Sequence, residues 1–99
     1  MNANEIIRKA SDLVGGDRKE AYGDALDGLN RIAVLWNAHI IASGNGLTKP
    51  LTAVDVAWMM VSLKHARAFT GPHRDDNYID AAGWAAIAGE AAARLQEAS

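Results

Sequence analysis

The sequence predicts an all-α protein, a compact four-helix domain, on three observations. Apolar residues recur at i, i+3 and i+4 in four separate segments, as they do on one face of a helix. Stretches rich in Gly, Pro and polar residues divide these segments near positions 15–24, 44–51 and 70–75. No segment alternates apolar and polar residues as a half-buried strand does. Since 99 residues are the length of one domain, we expect a single helical domain over 1–99, with helices at about 4–14, 25–43, 53–69 and 76–97.

The first two helices are predicted from caps and apolar stripes. Asn4 can cap the first helix, and Gly15-Gly16 ends it. Asp24 can cap the second helix, whose apolar arc is wide and suggests burial on two sides. Asn30 lies among apolar neighbours in this helix, and a buried Asn needs partners, either a neighbouring backbone group or a ligand.

The third helix begins at a capping box, in which Thr52 caps and the Asp55 side chain reaches back to it. Near its end, Lys64 and Arg67 share a half-apolar face. These two cations either form an ion pair with an acidic residue of the last helix, Asp76 or Asp80, or hold a phosphate group. Both interpretations stay open at this point.

The segment from Thr70 to Trp84 is the densest cluster of functional side chains in the sequence. His73 and Arg74 follow a helix-breaking Gly-Pro, and Asp76 and Asp80 then lie one turn apart on the last helix. Two such carboxylates can hold a divalent cation through oxygen ligands. Gly83, three residues beyond Asp80, leaves this face flat, so that another group can approach closely.

The overall composition excludes several classes of protein. The formal net charge of −2 argues against general nucleic-acid binding. The chain has no cysteine, which fits a reducing compartment. No segment has the pattern of a signal peptide or a membrane span, so we expect a cytoplasmic protein. Apolar residues make up 49% of the chain, and the Ala- and Gly-rich last helix predicts a homo-oligomer formed through small-residue helix faces.

As a set, these motifs resemble a known family. The pattern combines Arg18, Tyr22-Gly23-Asp24, Asn30 and Trp36 with Asp55, Lys64 and Arg67, and then with His73-Arg74-Asp75, Asp80 and Gly83-Trp84. It resembles small phage-encoded helical domains of unassigned function, akin to the nucleotide-modification-associated helical domains. The resemblance covers residues 17–90 and implies a bacteriophage origin, with the cytoplasm of an infected bacterium as the location.

A more distant resemblance concerns mechanism. The segment from Asn77 to Trp84 is similar to the second metal motif of MazG-like all-α nucleotide pyrophosphohydrolases, which use a Glu-x-x-Asp pair on a helix. Asp80 matches the Asp of that motif, and Asn77 stands in place of the Glu. The earlier Glu-x-x-Glu motif of these enzymes corresponds to Asp55-Val56-Ala57-Trp58, which keeps one of its two carboxylates. The resemblance implies magnesium as the cofactor, held by an incomplete set of acids.

Three functional hypotheses follow. The first is a nucleotide-binding protein, such as one that sequesters a host signalling nucleotide as a counter-defence. The second is a magnesium-dependent nucleotide pyrophosphohydrolase, and the third is a protein-interaction module without a small ligand. We rank binding above hydrolysis because the first acidic motif is incomplete. The candidate ligand-binding residues are Arg18, Tyr22, Asn30, Lys64, Arg67, His73 and Arg74, and the candidate metal ligands are Asp76, Asp80 and Asp55.

Overall fold

The all-α prediction is confirmed for the described part of the chain. A computed structural model describes residues 1–16 and 24–98, and in these two ranges the chain forms four α-helices and no β-strand. The helices are α1 (Ala3–Gly15), α2 (Ala25–Ala42), α3 (Ala53–Ala68) and α4 (Asp75–Ala98). Within the same ranges, none of these helices is long and apolar enough to cross a membrane.

Local capping explains where three of the helices begin. The cap of α1 is Asn2 rather than the predicted Asn4: its Oδ1 accepts a bond from the Glu5 N–H at 2.9 Å. Asp24 caps α2 as predicted, since its Oδ1 accepts a bond from the Leu26 N–H at 2.9 Å. At the start of α3, the N–H of Thr52 donates to Oδ2 of Asp55 at 2.8 Å. This confirms the predicted pairing of these two residues.

The pair α3–α4 forms the centre of the fold, and it is the most extensive helix–helix contact. Val56 and Ala57 of α3 are fully buried, as is Leu29 of α2, and they pack with Trp84 and Ile87 of α4. The first helix lies against α4, whereas α2 lies mainly against α3. The described residues of α1 and α2 do not pack against each other.

The arrangement is more open than the compact domain predicted from the sequence. The Cα radius of gyration is 14.8 Å, whereas a compact chain of this length has a value of about 13 Å. The physical reason is the separate placement of α1 and α2 on different helices of the central pair. Because the described residues of α1 and α2 do not contact each other, the four helices do not close into a bundle. The second apolar side of α2, predicted to be buried, therefore faces outward.

Gly83 permits the close approach that the sequence predicts. It is buried on α4, and a β-carbon at this position would lie 3.4 Å from Cγ2 of Val14. The partner that comes near is therefore α1. The small side chains of α4 are shared between two surfaces: Gly83, Ala88 and Ala91 are buried within the chain, while Ala86 and Gly89 are exposed. Oligomerisation through the exposed part stays a prediction.

Asn30 is exposed, so the expectation that it is a buried Asn needing partners is wrong. The Asn that fills this role is Asn37, two turns further along α2. Its Nδ2 donates to the Leu51 carbonyl at 3.1 Å, and its Oδ1 accepts from the Leu51 N–H at 2.8 Å. These two bonds hold the chain just before α3 against α2. Asn30 and Asn37 are two turns apart and therefore lie on the same side of α2. What distinguishes them is their position along the helix: Asn37 is level with Leu51, and the sequence of α2 does not specify this.

Candidate functional site

An open cavity of about 450 Å³ lies where α3 connects to α4. Five of the predicted site residues line it: Lys64, Arg67, Arg74, Asp76 and Asp80. The remaining lining residues are Thr70, Gly71, Pro72 and Asn77. Candidate phosphate ligands and candidate metal ligands therefore share one cavity.

Local structure explains why the cavity forms at this connection. The last turn of α3 is closed by bonds from the Phe69 N–H to the Ala66 carbonyl at 3.2 Å and from the Thr70 N–H to the Arg67 carbonyl at 3.3 Å. Gly71 then adopts a φ of 74°, a left-handed conformation that glycine takes without steric cost. The following proline cannot continue a helix. The chain therefore reverses, and the end of α3 faces the beginning of α4.

Lys64 and Asp80 form an ion pair across the cavity, which confirms one of the two interpretations of Lys64. Nζ of Lys64 lies 3.1 Å from Oδ2 of Asp80. The side chains are only 15% and 24% exposed, respectively, so the pair is held away from bulk water. The charge of Lys64 is already compensated within the protein, and so is that of Asp80.

Arg67 and Arg74 differ from Lys64 in their surroundings. Both are exposed, and neither makes an ion pair with any residue in the ranges 1–16 and 24–98. Their guanidinium groups have five N–H donors each, in a planar fork that matches a phosphate or carboxylate. These two side chains are the cations of the cavity that remain able to bind an anion.

Asp76 and Asp80 also line a second cavity, on the side of α4 that faces α1. This cavity has a volume of about 420 Å³, and its other lining residues are Lys9, Asp12, Leu13 and Ile79. The two aspartates thus lie between the two cavities. The sequence-based prediction missed Lys9 and Asp12, because the apolar stripe of α1 shows which of its faces is packed but not that the packing partner is α4.

The third predicted metal ligand, Asp55, does not join the two aspartates within one chain. It lies nine residues before Lys64 on α3, which corresponds to about 13 Å along a helix axis, and it is engaged in the cap of that helix. No three His, Asp or Glu side chains of the described residues converge closely enough to hold a metal ion. Magnesium binding stays a prediction, one that rests on Asp76, Asp80 and oxygens supplied by a ligand or another chain.

His73 is directed to α4 and is not among the described residues that line the cavity. Its Nε2 lies 2.9 Å from Oδ1 of Asp75, and its ring stacks on that of Tyr78 at a centroid distance of 5.6 Å. The hydrogen bond from His73 holds the pKa of the Asp75 carboxyl below its usual value, and the charges of the N-terminal amine, His73 and Lys9 act in the same direction. Partial desolvation opposes this effect.

Replacing His73 with Ala should therefore raise the pKa of Asp75 toward its ordinary value. Because the folded-state pKa of Asp75 is depressed, its contribution to stability is present above its unfolded pKa and is lost as the pH falls through the folded value. An NMR titration of the Asp75 carboxyl carbon measures the shift. The variant Tyr78→Phe keeps the ring and should leave the titration unchanged; an Asp75 titration that is the same in His73→Ala as in the wild type would contradict the assignment.

Of the three other predicted residues, one lies elsewhere and two are outside the described part of the chain. Asn30 is exposed on α2 and is not one of the described residues that line this cavity. Arg18 and Tyr22 lie outside the described residues. Conversely, Thr70 lines the cavity but was not predicted as a ligand. Its position directly before Gly71-Pro72 is the sequence feature that could have indicated it.

The fold and the site together define a small all-helical protein with a mixed basic and acidic cavity at a helix–helix connection. Residues 5–92 match a family described as a domain of unknown function, DUF6378. The chain belongs to this family. The match confirms the expected family of unassigned function, whereas its kinship with the nucleotide-modification-associated helical domains stays a prediction.

Two curated relatives are bacteriophage proteins. The Gene 55 protein of Mycobacterium phage L5 is 37% identical over 82 residues, which are 83% of this chain and 49% of the relative. The Gene 55 protein of Mycobacterium phage D29 is 33% identical over 84 residues, or 84% of this chain and 50% of the relative. This chain therefore spans about half the length of each.

These matches support a bacteriophage origin for the chain. They give no support to the similarity with MazG-like pyrophosphohydrolases. No solved structure matches the chain.

Proposed function

We propose that this protein binds a nucleotide through its phosphate groups in the cavity between α3 and α4. The observation that carries the proposal is the position of Arg67 and Arg74, two exposed arginines without an ion pair among the described residues, on the wall of one cavity. Arginine forks bind phosphate oxygens through paired, charge-assisted hydrogen bonds. The volume of about 450 Å³ is within the range of small-molecule sites.

The balance of charge in the cavity favours an anionic ligand of modest size. Three cations and two carboxylates line it, and one cation is neutralised by the pair between Lys64 and Asp80. The two unpaired arginines can compensate two negative charges on a ligand. Among the described residues, Asp76 is the one carboxylate of the cavity lining without an ion pair that such a ligand would meet. The phosphate end of a nucleotide has this character. The sequence-based candidates for stacking on the base are Tyr22, outside the described residues, and a Trp.

Sequestration is the form of this function that we propose first. The proposal places the protein in the cytoplasm of an infected bacterium, where it would hold a host signalling nucleotide. We propose that it does so as a homo-oligomer. The phage origin of the two relatives supports this setting. Sequestration needs the basic groups and no metal, and so it does not depend on the position of Asp55.

Magnesium-dependent hydrolysis of the nucleotide is the second candidate, and one observation favours it. Asp76 and Asp80 line the same cavity as the arginines. Magnesium retains several waters and is commonly held by one or two carboxylates together with substrate phosphates. In this arrangement the two aspartates would hold the ion, which would polarise the phosphoryl group and activate water.

The proposal is tested by a thermal-shift screen followed by calorimetry. The panel contains mono-, tri- and cyclic nucleotides, each with magnesium and with chelator. A ligand that binds only the folded state raises the Tm by mass action. We expect a shift that persists in chelator, with the ligand recovered intact. A shift that requires magnesium, accompanied by released pyrophosphate, would support the second candidate instead.

The arginines are tested by Arg67→Ala and Arg74→Ala, with Arg31→Ala on α2 as the matched control. A hydrogen bond to a charged group contributes about 1.5–3 kcal/mol, and about 1.4 kcal/mol corresponds to a tenfold change in Kd. Each cavity variant should therefore weaken binding at least about tenfold, while the control should not. The absence of any nucleotide-dependent shift in the wild type would overturn both candidates and leave the protein-interaction module.

A further inference from the structure

The second helix presents apolar side chains on two opposite sides. Leu29 and Ala33 are buried against the rest of the fold. On the opposite side, Val34, Leu35 and Ile41 are 66%, 67% and 69% exposed. A helix that is apolar on both sides is normally buried on both. We define the outer α2 surface as Val34, Leu35, Ala38, Ile41 and Ala42, all of which are exposed.

The accessible area of the chain exceeds that of a compact monomer by enough for a partner to cover part of it. It is 6985 Å² for a mass of 10.5 kDa. A compact monomer of this mass exposes roughly 5,400 Å², so the excess is roughly 1,600 Å² per chain. A standard stable interface buries about 800 Å² on each partner. The surplus thus exceeds what one partner contributes to a dimer.

The chemistry of the outer α2 surface fits a second copy of itself. No Asp, Glu, Lys or Arg occurs between Arg31 and Lys49, so a two-fold contact centred on Ala38 would bring no like charges together. Arg31, exposed on the same side two turns earlier, would lie at the edge of such a contact. In a two-fold contact the same patch lies on both subunits, and this is the commonest arrangement of soluble oligomers. Ala38 and Ala42 are small and lie among the larger side chains, so that two α2 helices can approach closely.

We propose that the outer α2 surface is the contact of a two-fold homodimer, with Ala38 near the symmetry axis. This contact differs from the Ala- and Gly-rich α4 faces that the sequence indicated. Its test uses no nucleotide, so the dimer and the proposed nucleotide binding can be overturned separately.

Sedimentation equilibrium of the wild type should give a mass twice the 10.5 kDa of the chain. The double substitution Val34→Glu with Ile41→Glu should reduce the mass to that of one chain, because four carboxylates would meet across the axis. Both positions are exposed, so circular dichroism should show unchanged helix content. The matched control is Ala86→Glu, on the exposed small-residue face of α4, which should leave the dimer intact.

A covalent test follows from the absence of cysteine in the sequence. A single Ala38→Cys substitution should form an intermolecular disulfide under mild oxidation, since residues near a two-fold axis meet their own copies. Ala86→Cys is the control and should stay largely monomeric on a non-reducing gel. Three results would overturn the proposal: a monomeric wild type, a dimer that survives the double Glu substitution, or a dimer lost only in Ala86→Glu. Loss of the dimer only in Trp58→Ala, at an exposed apolar position of α3, would place the contact on α3 and overturn it as well.

Discussion

Replacing Asp80 with Asn should destabilise the protein and, at the same time, tighten its binding of a phosphate ligand. The ion pair with Lys64 is partly buried, and the substitution leaves the charge of Lys64 without its partner. Breaking a fully buried pair costs about 3–5 kcal/mol, whereas an exposed pair contributes at most about 1 kcal/mol. For this intermediate exposure we expect a loss of about 1–3 kcal/mol in the free energy of unfolding, measured by urea denaturation.

A double-mutant cycle separates the pair from the individual side chains. Lys64→Met alone leaves Asp80 without its cation, while the combination of Lys64→Met with Asp80→Asn removes both charges. The double variant should be more stable than the sum of the two single effects predicts, because residues in direct contact are coupled. Additive effects would mean that the 3.1 Å contact contributes nothing to stability.

The same Asp80→Asn variant distinguishes the two candidate functions. In the sequestration proposal, the substitution frees Lys64 as a third cation and removes a nearby negative charge, so Kd for the nucleotide should fall. In the hydrolysis proposal, Asp80 holds magnesium, so magnesium-dependent binding and turnover should be lost while the fold survives. Calorimetry with and without magnesium separates the two candidates, because the substitution should lower Kd under sequestration and raise it under hydrolysis.

The second large effect is expected for Leu29→Ala. Leu29 is 1% exposed and is one of the few side chains that attach α2 to the central pair. Truncation of a buried Leu to Ala typically costs about 2–5 kcal/mol, out of a total of about 5–15 kcal/mol for a typical protein. Urea denaturation followed by circular dichroism should show a lower transition midpoint.

The matched control for this prediction is Leu95→Ala, the same chemical change at a half-exposed position on α4. It should alter stability by no more than about 0.5 kcal/mol, as is usual for surface positions. If the two variants were equally stable, the described packing of α2 against α3 would be wrong.

The location of the candidate site could be predicted because its residues are close in sequence. Lys64 and Arg67 are within two turns of the end of α3, and Arg74 and Asp76 are at the beginning of α4. A short connection containing Gly71 with a positive φ necessarily brings such residues near one another. The pairing of Lys64 with Asp80 was one of two open interpretations, and the distance of 3.1 Å decided between them.

Residues far apart in sequence could not be placed in the same way. Asp55 was grouped with Asp76 and Asp80 by resemblance, but it lies toward the other end of α3 and caps that helix. Asn30 and Asn37 are both polar residues on an apolar helix, and only the packing of α2 determines which of them meets Leu51.

The sequence by itself determined the all-helical class, the approximate ends of the four helices and the cluster of charges around the α3–α4 connection. These features arise from interactions between residues a few positions apart, namely apolar periodicity, caps and a short turn. The tertiary structure decided which charges pair, which cavity they line and which side of α2 faces outward. These features depend on the rotation and position of whole helices, which are set by contacts between residues distant in the chain.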